Sequence, residues 1–141
     1  MTVMIDLTRE GSGEPELALL CSLAGFPGVR RFRRLPLRSG EGPFSLLVAL
    51  DVEGLWFVVV DPLVLWPDYG ESVARAGIDD WGFDTTVRLE FRCFVTPGAG
   101  DQGATVNLYG PLVIRSDTGE AIQVSLPTSG YGIAVPIEFS A

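Results

Sequence analysis

Histidine and lysine are both missing from this 141-residue chain, and cysteine appears only twice. Without histidine there is no Ser-His-Asp triad, no Cys-His pair and no general base that titrates near neutrality unaided. Without lysine, Schiff-base chemistry and a phosphate-loop lysine are excluded as well. Carboxylates, hydroxyls and thiols remain, a poor toolkit for an enzyme of this size. Cys21 and Cys93 stand far apart in apolar surroundings. Neither has the close partners that a disulfide framework or a zinc site needs, so they read as two reduced, buried thiols. No cofactor and no metal are expected.

Long apolar runs are lacking too. Leu55 to Val60 is uninterrupted, but it falls far short of the ~20 residues that span a bilayer. The opening Met1-Thr2-Val3-Met4-Ile5-Asp6 has no basic leader and an early acid, so a cytoplasmic location away from the membrane is expected. What is abundant is apolar content, 47%, against 20% charged residues, which excludes a disordered chain. Residues 1–141 read as one domain, long enough to bury a core without staples.

Turn formers punctuate the whole length, with 17 glycines and 10 prolines, and short apolar runs lie between them. That pattern predicts an all-β fold, a compact single-domain barrel or sandwich with one or two short helices. In Val87 to Val95, Val87, Leu89, Phe91, Cys93 and Val95 alternate with Arg88, Glu90 and Arg92. A period of two puts the charges on one face, so this strand is expected to be half buried with the charges in water. Phe44 to Leu50 and Leu55 to Val60 flank Asp51-Val52-Glu53-Gly54 and read as a central hairpin. Further strands are expected at Val3 to Leu7, Leu17 to Leu23, Thr105 to Leu108, Leu112 to Arg115, Ala121 to Leu126 and Ile133 to Phe139. Gly110-Pro111 and Asp117-Thr118-Gly119 supply turns. One short helix is expected from Ser72 to about Trp81, weakened by Gly77, with Asp68 as a possible cap.

Five of the ten basic residues, Arg30, Arg31, Arg33, Arg34 and Arg38, fall in one short stretch around Phe32. Arginines interleaved with an aromatic could grip phosphates and stack a base, which makes a single-stranded nucleic-acid binder one alternative. The opposing reading is a solvated segment whose arginines pair with the acidic remainder. A net charge of −8 repels a polyanion at long range and favours it. A carboxylate-based hydrolase would need Asp61, Asp68, Asp79 and Asp80 to converge in a cleft. Tryptophans and tyrosines beside the turns are core or rim residues, and of the types enriched at protein interfaces.

The ordered set Gly25-Phe26-Pro27-Gly28, Pro43-Phe44, Leu55-Trp56-Phe57-Val58-Val59-Val60-Asp61-Pro62, Asp68-Tyr69, Asp80-Trp81-Gly82-Phe83 and Ala104-Thr105-Val106-Asn107-Leu108-Tyr109-Gly110-Pro111-Leu112-Val113-Ile114 resembles the bacterial flagellar assembly factor FliW. The likeness covers roughly residues 20 to 135, with Gln123 and Tyr131 continuing it. It implies a β-barrel-like domain with no active site. It also implies binding to flagellin and to CsrA, a small RNA-binding repressor, in a partner switch that leaves this chain a monomer with no nucleic-acid contact of its own. Asp61, Tyr69, Asn107 and Tyr109 are the protein-binding residues the resemblance suggests. On residue chemistry alone, Asp61-Pro62 and Gly110-Pro111 are turn formers, and Asn107 could simply satisfy buried backbone groups. The chain departs from the family pattern where Val29 and the arginines follow Gly28, and where Val48-Ala49-Leu50 replaces a polar strand end.

Overall fold

The computed structural model describes residues 16–37, 42–75, 86–98, 103–127 and 129–138. Among them nine strands and two short helices run in the order β1 (Leu17–Leu19), β2 (Arg31–Pro36), β3 (Phe44–Ala49), β4 (Trp56–Val60), α1 (Pro62–Leu65), α2 (Tyr69–Arg75), β5 (Leu89–Thr96), β6 (Ala104–Val106), β7 (Leu112–Arg115), β8 (Glu120–Gln123) and β9 (Val135–Ile137). The sheet order is β4-β3-β2-β1-β8-β7-β5, and a β4–β5 pairing closes these seven strands into a barrel. Closure removes the unpaired edges that an open sheet would present. All of these neighbours are antiparallel except β1 and β8, where Ala18 and Leu19 lie parallel to Glu120 and Ala121. The all-β expectation holds.

β5 is the longest strand and the hinge of the topology. Its first half pairs with β7, from Leu89 opposite Arg115 to Arg92 opposite Leu112. Its second half pairs with β4 on one side and β6 on the other, so that Val95 faces both Val58 and Val106. β9 then extends β6, and Pro136 within it has no N–H to offer a further strand. The β3–β4 hairpin forms where its apolar runs predict it, turning through Gly54 at φ +81°, a conformation that favours glycine.

Two buried clusters share these strands. Residues of one parity, among them Leu17, Leu19, Phe32, Leu47, Ala49, Val59, Leu112, Ile114 and Ala121, pack together with Phe57 and Phe94. All seven barrel strands contribute, as the lumen of a closed barrel requires. Phe57 sits edge-on to Phe94 at 5.4 Å and to Phe26 at 5.2 Å, closing one end. The opposite parity, including Leu46, Val48, Val58, Val60, Cys93, Val95 and Val113, packs under α2, β6 and the 124–126 segment.

Several local expectations change. The arginine-rich segment forms β2, a strand that its charge conceals. The helix lies further toward the N-terminus than Ser72 to Trp81, and residues 76–81 of that expectation fall outside the described residues, as do Val3 to Leu7. α1 is an additional helical turn. Asp61 caps it, accepting from the Leu63 amide at 3.0 Å with Pro62 just inside, a favoured arrangement for a helix start. Cys21 is exposed rather than buried; Cys93 is buried, and both thiols are free.

Candidate functional site

β2 and β5 meet where the lumen opens at the end opposite Phe26. Glu90 and Arg92 were expected in water, yet both turn inward, because closing the barrel makes the polar face of β5 part of its mouth. Arg34 is only 6% exposed, and its Nη1 donates to Glu90 Oε1 at 3.2 Å. Arg92 Nη2 donates to the same oxygen at 3.2 Å, so one carboxylate bridges two guanidinium groups. Arg92 Nη1 donates to the Phe91 carbonyl at 2.8 Å and stands 3.8 Å from Asp61 Oδ2. A buried ion pair is worth keeping only when hydrogen bonds help offset its desolvation, and the shared Glu90 oxygen accepts one from each guanidinium.

Arg34, Arg92 and Asp61 line a cavity of about 380 Å³. Leu17, Leu35, Leu47, Pro36, Pro43 and Phe44 form apolar walls, and Val64 of α1 overhangs the rim at 58% exposure. The two neighbours of Val64, Leu63 and Leu65, are exposed as well. A concave site with apolar walls and a few convergent polar groups is the usual form of a binding pocket.

A second constellation holds α2 and the loop between β6 and β7. Tyr69 is fully buried, and its hydroxyl donates to the Leu108 carbonyl at 2.6 Å. Cys93 Sγ donates to the same hydroxyl at 3.6 Å. Burial pushes the Cys93 thiol up to about 12 and raises the Tyr69 hydroxyl as well, so both stay protonated and inert. Asn107 Oδ1 accepts from the amides of Tyr109 and Gly110, each at 3.0 Å. A Cβ on Gly110 would lie 3.3 Å from Asn107 Nδ2, so glycine lets this side chain fold over its own loop. Gln123 ties the same loop to the 20–30 segment, donating to the Gly110 carbonyl at 3.4 Å and accepting from the Ala24 amide at 3.1 Å.

The four residues suggested for recognition thus divide. Asp61 stands at the barrel mouth and is half-buried; Tyr109 is half-buried on the 107–110 loop; Asn107 shapes that loop; Tyr69 lies inside beneath Leu108. Glu90 and Arg92 were missed as mouth residues, and Arg34 was singled out only as a member of the arginine cluster. The signal for Glu90 and Arg92 is present in the alternation of β5, but which face a barrel encloses is a property of closure.

Among the described residues, Arg30, Arg31 and Arg34 of the arginine cluster are turned to different partners. Arg34 points into the mouth, while the side chain of Arg30 donates to the carbonyls of Leu19 and Leu20 at 3.0 Å each. Arg31 meets Glu16 at 3.1 Å on the surface. Asp51 accepts from the backbone amides of Arg30 and Arg31 at 2.8 Å each, and these bonds hold its carboxyl below the usual range. Phe32 is fully buried, so it cannot stack a base. Among the described residues no three metal-ligating side chains gather, and no helix is long and apolar enough to cross a membrane.

Residues 9–137 match the family model described as FliW protein. The chain belongs to the FliW family. The flagellar assembly factor FliW of Thermotoga neapolitana is 31% identical over 110 residues, 76% of this chain and 74% of that one. The Bacillus licheniformis factor is 31% identical over 115 residues, covering 82% and 80%. In three dimensions the barrel resembles a crystal structure of the flagellar assembly factor FliW, with a TM-score of 0.71 at 21% identity over 91% of this chain and 89% of that one. The barrel is therefore the fold of the FliW family, and the arginine-bearing β2 is built into it rather than appended to it.

Proposed function

We propose that this FliW family member is a non-enzymatic, cytoplasmic regulator of flagellar assembly that works by binding proteins. It binds flagellin and, when flagellin is depleted, binds and antagonises the translational repressor CsrA. The observation that carries this reading is the family match over residues 9–137, together with curated relatives named flagellar assembly factors. Charge supports it: a protein of net charge −8 is steered toward a basic, RNA-holding partner and away from RNA itself. The chemistry of the chain supports it too. Asp61 is engaged as a helix cap beside Arg92, and Asp68 is exposed, so these two acids do not make a paired-carboxylate centre.

Calorimetric titration of the purified chain with flagellin and with CsrA from the same organism is the test. Binding at micromolar concentration or tighter is expected, with flagellin displacing CsrA. No heat with either protein overturns the proposal.

A further inference from the structure

The geometry points to a side-chain carboxamide as the group that the barrel mouth recognises: a glutamine or asparagine of a partner segment, flanked by aliphatic residues. The inference starts from hydrogen-bonding capacity. Arg92 is 17% exposed and makes one bond through Nη1 and one through Nη2, so three of the five N–H groups of a guanidinium have no acceptor within the described residues. Asp61 Oδ1 receives the Leu63 amide, while Oδ2 accepts no hydrogen bond there and stands 3.8 Å from Arg92 Nη1, an ion pair too long to be a hydrogen bond. An under-used donor and an under-used acceptor therefore sit side by side on the lining of one cavity.

Charge then selects among ligands. The mouth holds Arg34 and Arg92 against Glu90 and Asp61, two of each sign among the described residues. A carboxylate would satisfy Arg92 but would meet Asp61 and Glu90 with like charge in a partly desolvated site. An ammonium or guanidinium would satisfy Asp61 but meet two arginines. A carboxamide is neutral and presents an acceptor and a donor next to each other, so its oxygen takes Arg92 while its NH₂ bonds Asp61 Oδ2. The apolar walls and the exposed Val64 receive the flanking aliphatic side chains. The volume, about 380 Å³, lies in the range of roughly 300–1,000 Å³ typical of small ligand sites.

The probes are two capped tripeptides, acetyl-Leu-Gln-Leu-amide and acetyl-Leu-Glu-Leu-amide, titrated into the ¹⁵N-labelled full chain. The readouts are the Arg92 Nε–Hε resonance and the amide resonances of Ser45 and Val64. The glutamine peptide is expected to shift all three, with the glutamate peptide about tenfold weaker. Asp61→Asn supplies the second arm. Asparagine still caps α1, so the fold is kept, but it replaces the acceptor by an NH₂ and removes one negative charge. The preference is therefore expected to invert toward the glutamate peptide. Equal or tighter binding of the glutamate peptide to the native chain overturns the inference. So does an absence of shifts at the mouth with either peptide, or an Asp61→Asn variant that keeps the native order.

Discussion

Replacing Tyr69 by Phe removes one oxygen atom from a site without access to water. The Tyr69 hydroxyl is the hydrogen-bond donor of the Leu108 carbonyl at 2.6 Å, and both residues are buried. In Tyr69→Phe that carbonyl loses its partner with no solvent to replace it, and the Cys93 thiol loses the acceptor 3.6 Å away. Leaving one buried acceptor unsatisfied costs about 1–3 kcal/mol. For 141 residues the unfolding entropy is roughly 0.3 kcal/mol/K near the midpoint, so the melting temperature is expected to fall by about 3–10 °C. Tyr131→Phe is the matched control. It deletes a hydroxyl that donates to Ser72 Oγ at 3.1 Å, but both residues are only half-buried and water can take over the bond, so the expected loss is about 0–1 kcal/mol. Scanning calorimetry reads both variants, and urea unfolding should show a lower midpoint at unchanged slope. The reasoning fails if Tyr69→Phe melts within about 1 °C of the native chain. It fails equally if the two variants lose the same amount, since burial of the carbonyl would then decide nothing.

Two further outcomes follow from the thiols and the buried hydroxyl. Cys21 is exposed and Cys93 is enclosed and held protonated, so a thiol reagent at mild alkaline pH should titrate one cysteine in the native chain and the second only in denaturant. Two fast native equivalents would refute the packing of Cys93. Stability should also fall in alkali. Burial raises the folded pKa of Cys93 from 9.0 to about 12 and moves Tyr69 in the same direction; because both groups are neutral when protonated, the unfolded chain loses these protons first. The stabilisation is whole below about pH 9 and is lost as pH climbs toward 12, with a slope of up to about 1.4 kcal/mol per pH unit per group. Urea midpoints at about pH 8 and about pH 10.5 measure it, and Cys93→Val should flatten the fall. A variant that declines as steeply as the native chain would remove Cys93 from the account.

The strands that can be read from residues alone are those whose pattern is set locally. β3, β4 and β7 are short apolar runs between turn formers, and they form close to where their runs lie. The Asp117-Thr118-Gly119 turn is legible for the same reason: Gly119 takes φ +79°, and Thr118 Oγ1 accepts the Glu120 amide at 3.2 Å. β2 is illegible because its stability is borrowed from far along the chain. Arg34 is tolerable inside only because Glu90, 56 residues later, is brought to it by closure of the barrel. α1 spans four residues, too few for a helical period to show, although Asp61-Pro62 carries the start signal. Tyr69 and Asn107 stand in motifs that suggest recognition; in the fold the first pins Leu108 and the second folds over its own turn. Residue type shows that a polar group will be used, whereas the direction it faces depends on which strands become neighbours.

The chain's net charge and the neutrality of its barrel mouth act over different distances. A field from a net charge of −8 reaches only about 8–10 Å through physiological salt, which is enough to bias the approach of a basic protein but not to choose a side chain. Selection at the mouth has to come from groups in contact, and there the four charges cancel, while Arg92 and Asp61 stand 3.8 Å apart as an ion pair with no hydrogen bond between them. The two properties are separable by mutation. Removing several surface acids together, Asp117 among them, should slow association and weaken its salt dependence without altering which peptide the mouth prefers, whereas Asp61→Asn, which changes the net charge by only one, should alter that preference with little effect on encounter. The mouth's preference thus rests on the contact groups Arg92 and Asp61, whereas the approach of a partner rests on the sum of all the charges.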